Sequence, residues 1–266
     1  MPSNPVKQFR GLATQGIQAD PSPYDLADTS WSRGANVRFA NTKAMRSPVF
    51  RSIVSPLPFA PAFVTASPSS TGYDSIVYAG STGRLWSYFS GTLTEVTPTT
   101  FTPAAAPGQF TSGFLGNVLY VNHPGKGLYY QGPAGGNFAI DPHWDPTWSA
   151  AVFRVYKDYP IAMNVTKGAQ ANPTLVKWGD TTLAGLTTSS WDSTDPTKNT
   201  GESPLADLAS PILDGCVMRD IFVIYSQDQV WMMQSVASQS VFQFRRLFSE
   251  GGIIGTNCVA EVDGRH

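Results

Sequence analysis

Apolar positions along this chain fall in short runs broken by turn-forming pairs, and that pattern predicts strands. It is clearest between 211 and 266, where apolar runs occupy 216–218, 221–225, 230–233, 241–244 and 258–262. Between them lie Asp214-Gly215, Arg219-Asp220, Gln227-Asp228, Ser238-Gln239, Gly251-Gly252 and Asp263-Gly264. Short β-branched and aromatic runs with such breaks predict strands joined by hairpins. No stretch sustains a period near 3.6 long enough for a helix. The segment is predicted to be an antiparallel meander.

The same pattern recurs upstream. A strand at 35–39, a turn at 40–43 and a second, basic strand predict a hairpin within 31–55. Runs at 75–79, 84–89 and 93–96, then at 110–115, 118–122 and 128–131, predict two further meanders, and 150–156, 159–164 and 174–178 a third. The stretches VYAGSTGRLWSYFSG and LYVNHPGKGLYYQGP echo each other, and VIYSQDQVWMMQ repeats the idea. Echoes at uneven spacing suggest propeller blades with irregular insertions. The fold expected is all-β, antiparallel meanders forming a β-propeller or part of one. An extended N-terminal arm (1–30), the basic hairpin (31–55) and a propeller-like region (56–266) make up the chain. Segments 56–70 and 98–107 are expected to be linkers, and 179–210 a long polar loop with almost no strand. Such a loop in a compact domain is usually functional or an interface element.

Composition narrows the class. Only 14% of the 266 residues are charged, while Gly (24) and Pro (21) are frequent, which suits a rigid, turn-rich assembly protein. Net charge is −1, so nothing drives the chain as a whole toward nucleic acid. Charge is unevenly placed, however. Arg33, Arg38, Lys43, Arg46 and Arg51 follow one another with no acid among them, whereas acids outnumber bases from 141 to 228. Cys216 and Cys258 sit in separate apolar runs and are expected to be buried free thiols. The first ten residues lack the apolar core of a signal peptide, and no apolar run reaches membrane-spanning length. Assembly in a cytoplasm fits these features.

Catalytic constellations are missing from the sequence. The histidines, His123, His143 and His266, stand far apart with no companion at metal-ligand spacing. No nucleophile elbow or phosphate-loop spacing occurs, and 123–127 is better accounted for as a β-turn. Asp192-Ser193-Thr194-Asp195 offers oxygens to calcium but lacks the glycine and distal glutamate of a calcium loop. No enzyme activity, metal or cofactor is expected. Trp144, Trp148, Trp178 and Trp191 fall in or beside loops, where indoles serve either as protein–protein anchors or as sugar platforms.

The runs IFVIYSQDQVWMM, FQFRRLFSEGGI and VAEVDGRH, with NVRF and an Arg-x-Pro segment at 36–48, resemble the tail tube or nozzle proteins of short-tailed bacteriophages, the tail tubular protein B group. The likeness covers 212–266 well and 31–54 fairly, and is weak between. It implies a virion structural protein of the tail: a homohexameric ring through which DNA leaves, contacting a connector or adaptor and a tail fibre or needle protein. It also implies that the strand opened by VAEVDGRH continues past His266. On this reading Asp180, Asp192, Asp195, Glu202 and Asp207 face the lumen and keep DNA from being gripped. Arg33, Arg38, Lys43, Arg46, Arg51, Trp144, Trp148 and Trp191 are expected at subunit interfaces. The alternative is a glycan-binding propeller or fibre module reading host polysaccharide through its loop tryptophans.

Overall fold

The structure is a computed structural model and describes residues 15–27, 29–40, 43–47, 57–67, 75–99, 107–236 and 240–266. The chain divides into two units, Met1–Ser55 and Pro56–His266.

The first unit is small. Strands β1 (Val37–Ala40) and β2 (Lys43–Arg46) form an antiparallel hairpin, with Val37 opposite Arg46 and Arg38 opposite Met45. Asn36 takes a φ of 54° just before β1, and its carbonyl accepts the Ser47 amide at 2.7 Å, closing the hairpin's open end. The described part of the expected arm is tied to the hairpin. Ile17 bridges Trp31 in parallel, and the Gly16 carbonyl accepts the Trp31 amide at 2.9 Å. Arg51 lies outside the described residues. None of this unit's described residues is buried.

The second unit is built of four-stranded antiparallel sheets, each an uninterrupted meander. The first holds β3 (Pro61–Ser67), β4 (Ser75–Gly80), β5 (Leu85–Phe89) and β6 (Thr92–Glu95). The second holds β7 (Thr111–Leu115), β8 (Val118–His123), β9 (Gly127–Gln131) and β10 (Ala139–Ile140), entered through a 3-10 turn at Pro107–Gln109. In the third are β11 (Trp148–Tyr156), β12 (Tyr159–Lys167), β13 (Gln170–Trp178) and β14 (Gly201–Pro204). The fourth has β15 (Asp214–Met218), β16 (Ile221–Tyr225), β17 (Val230–Ser235) and β18 (Phe242–Phe248). A run of up-and-down four-stranded sheets stacked face to face is the blade architecture of a β-propeller, and the unit is an array of such blades.

Period-2 alternation does the stacking, because successive side chains on a strand point to opposite faces. On β8, Leu119 and Val121 enter a core shared with Val77, Ala79 and Leu85 of the first blade. Their neighbours Val118 and Tyr120 enter a different core with Ala150, Phe153, Ala162 and Val165 of the third. On β12, Ile161 and Met163 point the other way, into a core with Phe222, Ile224, Trp231 and Met233 of the fourth. Strands covered on both faces show as unbroken apolar runs, and each fully buried Val, Leu, Ile or Phe stabilises by about 1.5–3 kcal/mol.

Polar ties join the first strands of successive blades. Ser112 on β7 donates to Thr65 on β3 at 2.9 Å. The Thr111 hydroxyl accepts the Phe153 amide of β11, also at 2.9 Å. Gly113 lets these strands approach so closely, since a Cβ there would lie 2.7 Å from a Val155 methyl.

Four expectations about elements are corrected. The segment expected as a linker at 56–70 contains β3, whose proline stands at its first position, where a missing amide breaks no ladder. The polar loop at 179–210 contains β14, which pairs with β13 from Leu175↔Pro204 to Trp178↔Gly201. The run at 258–262 forms no named strand; only an isolated bridge, Val262↔Arg265, closes a turn there. Cys258 is accordingly exposed and Cys216 half-buried, both free, rather than two buried thiols on adjacent strands.

Candidate interaction surfaces

The loop between β13 and β14 carries most of the acids singled out in the sequence, and they have separate fates. Asp180 is almost buried and accepts Ser189 Oγ at 2.7 Å and the Asn199 amide at 3.1 Å, with Lys198 Nζ at 3.5 Å. Burial pushes its carboxyl up, but these hydrogen bonds prevail and hold it below the usual carboxylate range. Its role is to pin the loop to itself. Glu202 on β14 is shared by two ammonium groups, Lys167 and Lys177. Burial opposes its ionisation, and the two lysines overcome that and hold its carboxyl low. Neither residue is an open negative charge.

Asp192 and Asp195 are different. Each caps its own short turn, accepting the hydroxyl and amide of the threonine two residues on: Thr194 at 2.7 and 2.9 Å, Thr197 at 2.6 and 2.9 Å. Those bonds hold both carboxyls below the usual range, so both are ionised at neutral pH. Asp192 and Asp207 are exposed and Asp195 half-exposed, and none of the three makes an ion pair among the described residues. Leu183 and Leu186 on the same loop are 75% and 57% exposed.

The tryptophans are not where loop placement suggested. Trp191 is 1% and Trp144 4% exposed, and their rings meet edge to face at 4.9 Å. Trp191 Nε1 donates to Asp141 at 3.2 Å, and Trp144 Nε1 donates to the Trp148 carbonyl at 3.1 Å. An indole whose N–H has a partner enters a core at little cost, so these two are interior residues of the chain. Trp178 is buried too. Trp148 remains half-exposed, but Lys177 and Lys167 lie 4.8 and 5.1 Å from its ring centroid. Of the four indoles, only Trp148 is not buried. Lys177 is fully buried, and desolvation lowers its pKa, partly offset by Glu202.

A groove of about 660 Å³ runs along the first strands of the second, third and fourth blades, lined among others by Ser112, Arg154, Lys157, Cys216, Arg219 and Glu261. Its floor is a hub. Arg154 on β11 donates through Nε and Nη2 to the two oxygens of Asp214 on β15, at 3.0 and 2.9 Å, and through Nη2 to Asn257 Oδ1 at 2.8 Å. Asn257, itself at a φ of 62°, returns its amide to Asp214 at 2.7 Å and its side-chain amide to the Phe110 carbonyl at 3.0 Å. One residue of the tail thus ties three blades. His266 reaches both the Tyr225 hydroxyl and the Val217 carbonyl. One sign of this hub is legible along the chain, a single arginine inside the apolar run AVFRVY. Among the described residues, no group of three or more His, Cys, Asp or Glu is placed to hold a metal ion, and no helix is long and apolar enough to cross a membrane.

The basic hairpin is the third surface. Arg33, Arg38, Lys43 and Arg46 are all exposed, and none makes an ion pair among the described residues. In the same unit Tyr24 is 97%, Ile17 44%, Trp31 43% and Val37 38% exposed. This unit offers like charges and large apolar groups to the outside.

No family model matches the chain, and no curated protein matches it. Two solved structures share part of its shape. The computationally designed Ika8 protein is similar at 12% identity and a TM-score of 0.40, over 66% of this chain and 48% of that one. BBS1N, solved in complex with ARL6DN, is similar at 9% identity and a TM-score of 0.42, over 77% of this chain and 60% of that one. The chain therefore spans less than two thirds of either structure, and at these scores neither bears on function.

Proposed function

We propose that this chain is a structural subunit of the tail tube or nozzle of a short-tailed bacteriophage, one copy of a homohexameric ring through which DNA passes. The observation that carries this reading is the segment from Ile212 to His266, whose wording resembles that family. In the fold this segment is the fourth blade together with the tail that ties three blades at the hub. Low charge and a rigid blade array support the same reading, since assembly subunits bury surface against neighbours. The work is mechanical: the ring holds a channel open between a connector above and a fibre or needle protein below, and catalyses nothing. A wall meant to pass DNA avoids unpaired lysines and arginines, because each phosphate neutralised adds affinity through counterion release.

The test is to purify the chain and image it by electron microscopy, alone and with the products of its neighbouring genes. Rings are expected, together with binding of a connector among those gene products. A chain that forms no ring and binds none of the neighbouring gene products overturns the reading.

A further inference from the structure

The segment after β18 is fastened differently from the blades. From Ser249 to His266 no residue is buried, although Ile253, Ile254, Cys258, Val259, Ala260 and Val262 are apolar. Ile254 is 95% and Val262 65% exposed. What holds the segment is polar. The Gly251 amide donates to the Asp228 carbonyl and the Ile253 amide to the Ser226 carbonyl, both at 3.0 Å. Besides the Asn257 bonds at the hub, Thr256 Oγ1 donates to the Leu213 carbonyl and His266 Nε2 to the Val217 carbonyl, each at 3.0 Å. Such bonds are exchanged for bonds to water on opening, so their net worth is small beside that of the side chains buried between blades.

Beneath the segment lies a strand edge. β15 has a neighbour, β16, on one side only. Along its other side the carbonyls of Leu213, Gly215 and Val217 accept the side chains of Thr256, Arg154 and His266, where a wider sheet would place another strand. Two of those three side chains come from the segment. It also supplies Val259 and Glu261 to one wall of the groove, and the Glu261 amide lies against the half-buried sulfur of Cys216. An uncovered edge is a template for stray pairing, and proteins cover such edges with loops.

We propose that residues 249–266 form a strap that swings off as one unit while the four blades stay folded, and that the closed strap covers the free edge of β15 and one side of the groove. The inference holds whatever the chain assembles into. Segments that open locally are those with few buried apolar contacts, and the strap has no buried residue at all. Its apolar run at 258–262 reads as a strand and forms none, a local preference that the closed state leaves unused. Opening bares the Leu213 and Val217 carbonyls and lets solvent into the groove beside Cys216.

Two measurements on the full chain test the strap. In hydrogen exchange of the wild type, the amides of Gly251, Ile253 and Asn257 should share one protection factor, at least about a hundredfold below those of β8 and β12. The second measurement follows labelling of Cys216 by a thiol reagent in a Cys258→Ser background, because Cys258 is exposed. Gly252→Ala would set a Cβ 2.2 Å from the Ser226 carbonyl oxygen, and Asn257→Ala removes the bonds to Arg154 and Phe110. Each should speed labelling by about tenfold or more while moving the melting temperature little. Val77→Ala, in the core of the first two blades, should do the reverse, lowering the melt and leaving the labelling rate alone. Labelling that follows the melting temperature across the three variants overturns the proposal, as do strap amides protected as strongly as those of β12, since the segment would then open only with the blades. Unrelated protection at the three amides overturns it too, because that is fraying residue by residue. So does labelling that neither Gly252→Ala nor Asn257→Ala speeds.

Discussion

Replacing Asp214 by alanine probes the hub where three blades meet. The Asp214 side chain is fully buried and takes four donors: Arg154 Nε and Nη2, its neighbour Gly215's amide at 2.7 Å and the Asn257 amide at 2.7 Å. Alanine leaves the guanidinium without its counter-charge and two amides without their acceptor. Stripping one partner from a buried pair costs about 3–5 kcal/mol. The Arg154 side chain is 19% exposed, and it keeps Asn257 Oδ1 and three carbonyls, so the low end applies. A loss of about 3 kcal/mol lowers the melting temperature of a unit this size by roughly 6–12 °C. The paired change Asp214→Leu with Arg154→Met leaves no unpaired charge and should cost clearly less than Asp214→Ala. Guanidinium unfolding followed by tryptophan fluorescence measures both, and the Arg154–Asp214 double-mutant cycle should return a coupling of about 2 kcal/mol. Limited proteolysis adds a local readout: with the Asn257 amide released, the chain after 249 should be clipped before the blades are. An Asp214→Ala protein within about 1 kcal/mol of wild type, or a cycle with no coupling, would refute the idea that this carboxylate holds the blades together.

Burial pushes the Asp141 carboxyl above its ordinary value of 3.8, so the folded state keeps that proton longer. The associated stability is complete below the unfolded value and lost as pH rises through the raised one; the advantage of Asp141→Asn over wild type should therefore grow between pH 4 and pH 7, and a flat difference contradicts this. Glu202→Ala strips a fully buried Lys177 of its partner and should cost about 3 kcal/mol, whereas Lys177→Met should be near neutral in the same denaturant titration. At Gly215 an added Cβ would lie 2.5 Å from the Phe222 ring and 2.9 Å from Met163, so Gly215→Ala should cost about 1–3 kcal/mol by overpacking, and an unchanged melt would argue against that packing.

The strands between 75 and 131 were legible because apolar alternation and Gly-rich turns coincide there, as at β4, β5, β8 and β9. Strands without an apolar signature were not. β14 is Gly-Glu-Ser-Pro and earns its place through backbone pairing with β13, which no side-chain pattern announces. β3 hides behind prolines, and β10 is only Ala139 and Ile140. The opposite error came at 258–262, where apolar and β-branched residues form a tail instead of a strand, because Asn257 and His266 fasten it through polar atoms. Trp144 and Trp191 were misplaced for a related reason. Their neighbours are Asp, Pro and Ser, which signal a surface loop, while the acceptors that let the indoles go inside are set by the fold: the Asp141 carboxylate, remote in sequence from Trp191, and the Trp148 carbonyl one turn after Trp144. Charge was legible in number but not in availability: only geometry separates Asp180 and Glu202, engaged at home, from Asp192, Asp195 and Asp207.

The contiguity of each blade also sets an order of events during synthesis. Val77, Ala79 and Leu85 have no core until Leu119 and Val121 have left the ribosome, and Ile161 and Met163 must wait for Phe222 and Ile224. Each blade is thus a half-finished template that the next completes, as in other arrays stabilised through nearest neighbours. The Asn257 tie forms after all four blades, because it joins Phe110, Arg154 and Asp214 only when the chain beyond β18 has emerged. Until then the blades are held by their shared cores and by ties such as Thr111 to Phe153 and Arg154 to Asp214, and the tail adds one constraint that spans three of them.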